Sequence, residues 1–167
     1  MRLALRDLFH PHWSAQIHDE WTRAVLRNRP DLPRAKIERT RRLMDEEIND
    51  ANVSGYEHRL EGIELPDIDD RHVLAAAIHC GASILVTANL RDFPASTLAR
   101  HDIEAQHPDV FILGLFNRAP RTVCEMLRET RATMKNPPFT AAALLAAMSR
   151  HGLAATAEAL SSFEDSL

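Results

Sequence analysis

Cysteine is scarce. Two thiols in 167 residues, Cys80 and Cys124, do not make a disulfide framework, and a reducing cytoplasm is the expected compartment. Cys80 reads as a small buried residue on an Ala-rich helix. No run of 18 or more apolar residues occurs, so no membrane span is expected. The N-terminus has no long apolar core of the kind a secretory signal needs. Positive charge is not in excess either: the net charge of −4 argues against a general nucleic-acid coat. Internal repeats and low-complexity segments are absent too. What remains is a chain long enough for a sizeable core. Its charge is uneven: through Arg42, ten Arg and Lys stand against five Asp and Glu, a local net of +5. That excess suits a phosphate-binding surface, and equally a solvated helix face.

The chain is organised around residues 65 to 93, LPDIDDRHVLAAAIHCGASILVTANLRDF. Three acids, Asp67, Asp69 and Asp70, precede a helix with an Ala-rich face at Ala75, Ala76 and Ala77. Gly81 suits the left-handed position that ends such a helix. Ser83 to Val86 is a short apolar run suited to a parallel strand buried on both faces. Thr87, Ala88 and Asn89 lie past its carboxyl end, where open α/β sheets bind ligands, and Asp92 and Phe93 follow. So many carboxylates at one sheet edge suit a hard cation such as Mg²⁺ or Mn²⁺, which takes oxygen ligands. The ordinary alternatives are that Asp69 caps the helix and that Asp67 is a loop acid. His10-x-His12 with nearby His18 is too sparse for a zinc site, and His72 and His79 are expected to flank the acids or face solvent.

Elsewhere the pattern is mostly helical. Arg2 to Phe9 makes one or two turns, and His10 to Trp13 is an extended bridge. Ser14 caps a helix to about Arg27 that turns Ile17, Trp21 and Val25 to the core. A second helix to about Ile48 has Pro33 in its first turn and Asp31 as a candidate cap. It carries Arg39, Arg41 and Arg42. Short strands are expected near Val53 and at Ile103 to Ala105, and a short helix at Ala95 to Arg100. Pro108 opens a helix through Phe116. Helical segments at about 120–134, 140–151 and 153–163 complete the chain. Pro137-Pro138 separates the first two of these and Gly152 the last two. Apolar stripes at Leu144, Leu145, Met148, Leu153 and Leu160 suit either a helical partner or packing within the chain's own domain.

Asp70 with Val73 to Ala77, then Gly81, then Val86-Thr87-Ala88-Asn89-Leu90-Arg91-Asp92-Phe93 resembles the PIN domain. That family comprises metal-dependent ribonucleases and includes the VapC-type toxins of bacterial toxin–antitoxin pairs. The resemblance implies an α/β fold: a reduced PIN-like, Rossmann-like domain over 1–118, with a short parallel sheet among helices, and a helical C-terminal extension over 119–167. It also implies a site in which Glu20, Asp70 and Asp92 hold Mg²⁺ or Mn²⁺ and perform catalysis. Thr87 and Asn89 would bind a phosphate oxygen or hold Asp92 in place. The implied partners are RNA and a cognate antitoxin protein.

The sequence departs from the family at its start. Family members open with an apolar strand ending in Asp, whereas here the chain begins at what resembles the following helix, with Asp7 inside it. A truncated chain, a reduced branch of the family, or another chain filling the gap would each account for this. The expected function is an endoribonuclease toxin; the alternative is a catalytically weak or inactive PIN-like module that acts by binding a partner protein. Loss of a central strand further predicts a rearranged small sheet, or a homodimer covering the open edge.

Overall fold

The computed structural model describes residues 2–134 and 138–167. They form two compact units. The first comprises His10–Leu85 and Asn89–Ala105; the second comprises Arg2–Phe9, Val86–Ala88 and Gln106–Leu167.

In the first unit, the extended segment ahead of Ser14 becomes a strand, β1 (Trp13–Ser14). It pairs in parallel with β2 (Asn52–Val53), in the register Trp13 to Asn52 and Ser14 to Val53. Ser14 then starts α1 (Ala15–Asn28), its Oγ accepting from the Ile17 N–H at 3.3 Å. The inward face of α1 differs from the expected one. His18 and Thr22 are its buried residues, while Ile17, Trp21 and Val25 are half-buried beside them. A histidine is tolerated inside because both ring nitrogens are used. Nδ1 accepts from Trp21 Nε1 at 2.8 Å, and Nε2 lies 3.0 Å from Asp45 Oδ1. Since Nδ1 accepts, the ring is neutral and Nε2 is the donor. Trp13 Nε1 donates to the same Asp45 oxygen at 2.7 Å.

Asp45 lies on α2 (Arg34–Glu47), where Ile37 is the buried residue. Pro33 precedes this helix as its cap residue instead of sitting in its first turn, and Asp31 makes no cap: it pairs with Arg29 at 2.7 Å. Arg41 reaches Asp19 on α1, and Arg42 reaches Glu46 at 3.4 Å. Part of the N-terminal positive charge is thus neutralised locally.

The helix α3 (Arg71–Cys80) buries Leu74, Ala75 and Ala76 and packs on β1 and β2. Small side chains let the helix approach closely. It ends at Gly81, whose φ of 69° is the left-handed conformation expected there. Next comes β3 (Ile84–Val86), which pairs with β4 (Glu104–Gln106). The bonds from Glu104 N to Ser83 O and from Thr87 N to Gln106 O, each 3.0 Å, advance along both strands in the same direction, so this pair is also parallel. β3 is not buried on both faces as expected. Leu85 is buried, whereas Ile84 and Val86 are exposed. The parallel strands therefore form two two-stranded sheets among the described residues. Between β3 and β4 runs α4 (Ala95–Leu98). Val53, Tyr56, Leu74, Leu85, Phe93 and Leu98 belong to the core of this unit.

The second unit is helical: α5 (Pro108–Arg118), α6 (Pro120–Ala132), α7 (Ala141–Arg150) and α8 (Ala154–Ser161). Leu144, Leu145 and Leu160 are buried, and Met148 packs against the core that holds Leu145 and Leu160, so much of the C-terminal stripe is covered within its own unit. Leu3 and Leu8 join that core from either side of a single 3₁₀ turn, Ala4–Arg6, shorter than the expected helix and closed by Asp7. Pro137 lies outside the described residues. No helix among the described residues is long and apolar enough to cross a membrane.

Candidate metal centre

The site is built in the first unit, where the loop before α3 meets the turn after β3. Asp70 precedes α3 at the cap position, but its side chain makes no cap bond to the helix, and neither does that of Asp69. The loop is shaped by local bonds instead. Asp67 Oδ1 accepts from the Asp69 N–H at 2.9 Å, and Arg71 Nε donates to Ile68 O at 3.2 Å. Asp92 ends a 3₁₀ turn, Leu90–Asp92, and Asn89 Nδ2 donates to its Oδ2.

The result is that one carboxylate oxygen from each of Asp67, Asp70 and Asp92 lies within 4.8 Å of the other two. Asp67 is exposed; Asp70 and Asp92 are half-buried. The electrostatics record the crowding. Burial pushes the Asp70 carboxyl above its ordinary value, repulsion from Asp67, Asp92 and Glu20 pushes it further, and His72 partly opposes them. Hard divalent cations bind oxygen at about 2.0–2.6 Å, which holds opposed ligands roughly 4–5 Å apart. The three carboxylates match that span, and their all-oxygen donor set matches that chemistry. Among the described residues, this is the group of three or more His, Cys, Asp or Glu side chains with such a spacing.

Glu20 is not one of the three, though it stands close enough to act on Asp70. Its Oε1 accepts from Gln16 Nε2 at 3.3 Å, one turn earlier on α1. The same Oε1 lies 2.9 Å from Nε2 of His72, a residue only 4% exposed. This is an ion-pair separation, but Oε1 sits off the ring N–H direction, so no aligned hydrogen bond forms. Thr87 belongs to the second unit, where its N–H pairs with Gln106. Of the expected residues, the structure thus brings Asp70 and Asp92 together, with Asn89 on Asp92 and Glu20 at the margin.

One acid was not anticipated, while His72, expected to flank the acids or face solvent, takes the first of those places. Asp67, which reads as a loop acid, joins the cluster because the 67–71 segment turns back on itself. His72 is buried because it shares the face of Ala75 and Ala76, three and four residues on. That spacing was readable in the sequence. Elsewhere, His18 is engaged with Asp45 and Trp21, and the His10 and His12 rings lie edge to face at 4.8 Å.

The PIN domain family model matches residues 1–91, which include Glu20, Asp67, Asp70 and His72. A second family model, the VapC50 C-terminal domain, matches residues 108–162. The chain is 43% identical over 82 residues to a protein of Mycobacterium tuberculosis named "Putative ribonuclease VapC50". That match covers 47% of this chain and 47% of the relative, so it spans about half the relative's length. No solved structure matches the chain.

Proposed function

The chain belongs to the PIN domain family, and from that premise we propose that it is a divalent-metal-dependent endoribonuclease, the toxin of a toxin–antitoxin pair. The observation that carries this reading is the convergence of Asp67, Asp70 and Asp92. These carboxylates would hold Mg²⁺ or Mn²⁺. When bound, the ion supplies acidity to a water and charge stabilisation to a phosphodiester. The chain's own residues do the rest. Asp70 and Asp92 supply half-buried negative charge, and Asp67 closes the cluster from the solvent side. Asn89 fixes the rotation of the Asp92 carboxylate. Glu20 adds a fourth acid at the margin, and Asn89 would position a phosphate oxygen. The substrate is RNA, the protein partner is a cognate antitoxin, and the compartment is the cytoplasm. The relative named as a ribonuclease supports the choice of RNA.

The test is cleavage of structured RNAs by the purified chain, with Mn²⁺ or with a chelator. Cleavage that requires the metal and disappears in Asp70→Asn is the expected result. An inert chain that nevertheless captures a partner protein would instead establish the binding-module reading.

A further inference from the structure

His72 has no part in the reaction as proposed, yet its placement is unusual. It sits two residues after Asp70, on the face of α3 that carries the buried Ala75 and Ala76. Only 4% of it is exposed, and neither ring nitrogen has an aligned hydrogen-bond partner among the described residues. A buried imidazole with no partner costs free energy that an apolar side chain at this position would avoid. The neighbour that can offset the cost is Glu20, whose Oε1 is 2.9 Å from Nε2. Alignment needs only a rotation of the terminal carboxylate torsion of glutamate, which is broad and soft. On its other side Glu20 is held by Gln16, from its own helix. The Glu20 carboxylate thus lies between Gln16 of α1 and His72 of α3, close enough to Asp70 to repel it.

We propose that His72 is a positioning residue that fixes the Glu20 carboxylate at the margin of the Asp67–Asp70–Asp92 cluster. The inference rests on the metal-centre reading. Asp70 and His72 lie on one helix end, so α3 presents one acid directly and sets the other through the ring. Glu20 on α1 cannot then swing out to solvent, although its side chain is 39% exposed. The contact supplies orientation, which residues that hold a metal ligand in place commonly provide.

The experiment measures Mn²⁺ affinity of the full chain by calorimetry, together with the melting temperature of each metal-free variant. His72→Asn, too short to reach Glu20, is expected to weaken Mn²⁺ binding roughly tenfold or more. His72→Leu, which keeps the bulk without a donor, should do the same. His72→Gln places an amide N–H near the Nε2 position and should restore most of the affinity. In a Glu20→Gln background, His72→Asn should cost nothing further, because the two act as a unit. A merely structural histidine would move the melting temperature and leave this pattern of affinities flat. Wild-type affinity in His72→Asn, or an equal loss in the Glu20→Gln background, overturns the positioning role. Asp70→Asn separates the two levels: loss of binding there upholds the metal centre whatever His72 does. Undiminished binding there sinks the metal centre and this inference with it.

Discussion

Asp70 carries the cost of the site. Its carboxyl is raised by burial and then by three neighbouring acids, so the folded protein holds a proton there more readily than the unfolded chain does. For a carboxyl with a raised folded pKa, the sign is unfavourable: stability falls as pH rises from the unfolded value through the folded one, and the cost is fully present above both. Asp70→Asn should therefore raise the melting temperature at neutral pH in the presence of a chelator, while abolishing Mn²⁺ binding. Thermal melts with and without metal check both halves. A variant that melts lower than wild type in chelator would contradict the charge-crowding account. Asp70 and Asp92 were legible in the sequence because each borders a recognisable helix or strand. Asp67 was not, since its place depends on the Asp67–Asp69 turn, which no periodicity encodes.

The helices show how elements are held and how their faces are chosen. The cap residue of α8, Leu153, offers no side-chain acceptor, and Asp109 on α5 supplies one from a distance. Its two carboxylate oxygens accept from the N–H groups of Ala155 and Thr156, both at 2.8 Å, and from the Thr156 hydroxyl at 2.6 Å. Burial pushes the Asp109 carboxyl up, but the bonds from Thr156 and Ala155 outweigh it and hold it below the ordinary value. A depressed folded pKa contributes stability above the unfolded value and loses it as pH falls through the folded one. Asp109→Ala should thus destabilise by about 1–2 kcal/mol at pH 7, the usual range for losing a cap. The gap to wild type should close in acid, as wild-type Asp109 is protonated; denaturant midpoints across pH measure it. A gap that persists unchanged at the lowest pH would show that packing, not charge, is at stake. The existence and ends of α1, α3 and α5 followed from Ser14, Gly81 and Pro108. The face of α1 did not, because a sequence pattern counts His18 as polar and cannot see that Asp45 and Trp21 satisfy it.

At the scale of the whole molecule, the α/β class with short parallel strands was implied by the family resemblance of the stretch from Asp70 to Phe93, and the apolar run of β3 agreed with it. The division into two small sheets and the exposed flanks of β3 were not legible, because strand neighbours are a matter of long-range pairing. The C-terminal stripe illustrates the same limit: its spacing marks an apolar face without saying what covers it. With Leu160 fully buried in the second unit, Leu160→Ala should cost about 2–5 kcal/mol of stability; a loss below 1 kcal/mol by denaturant unfolding would point back to a partner-facing role. The account as a whole turns on whether three carboxylates form a cation site. Crystals of the protein soaked in Mn²⁺ and measured at a wavelength where manganese scatters anomalously give the answer. The account predicts an anomalous peak enclosed by Asp67, Asp70 and Asp92, with Glu20 at its margin. Well-ordered carboxylates with no peak between them, or a peak bound elsewhere on the chain, would contradict it.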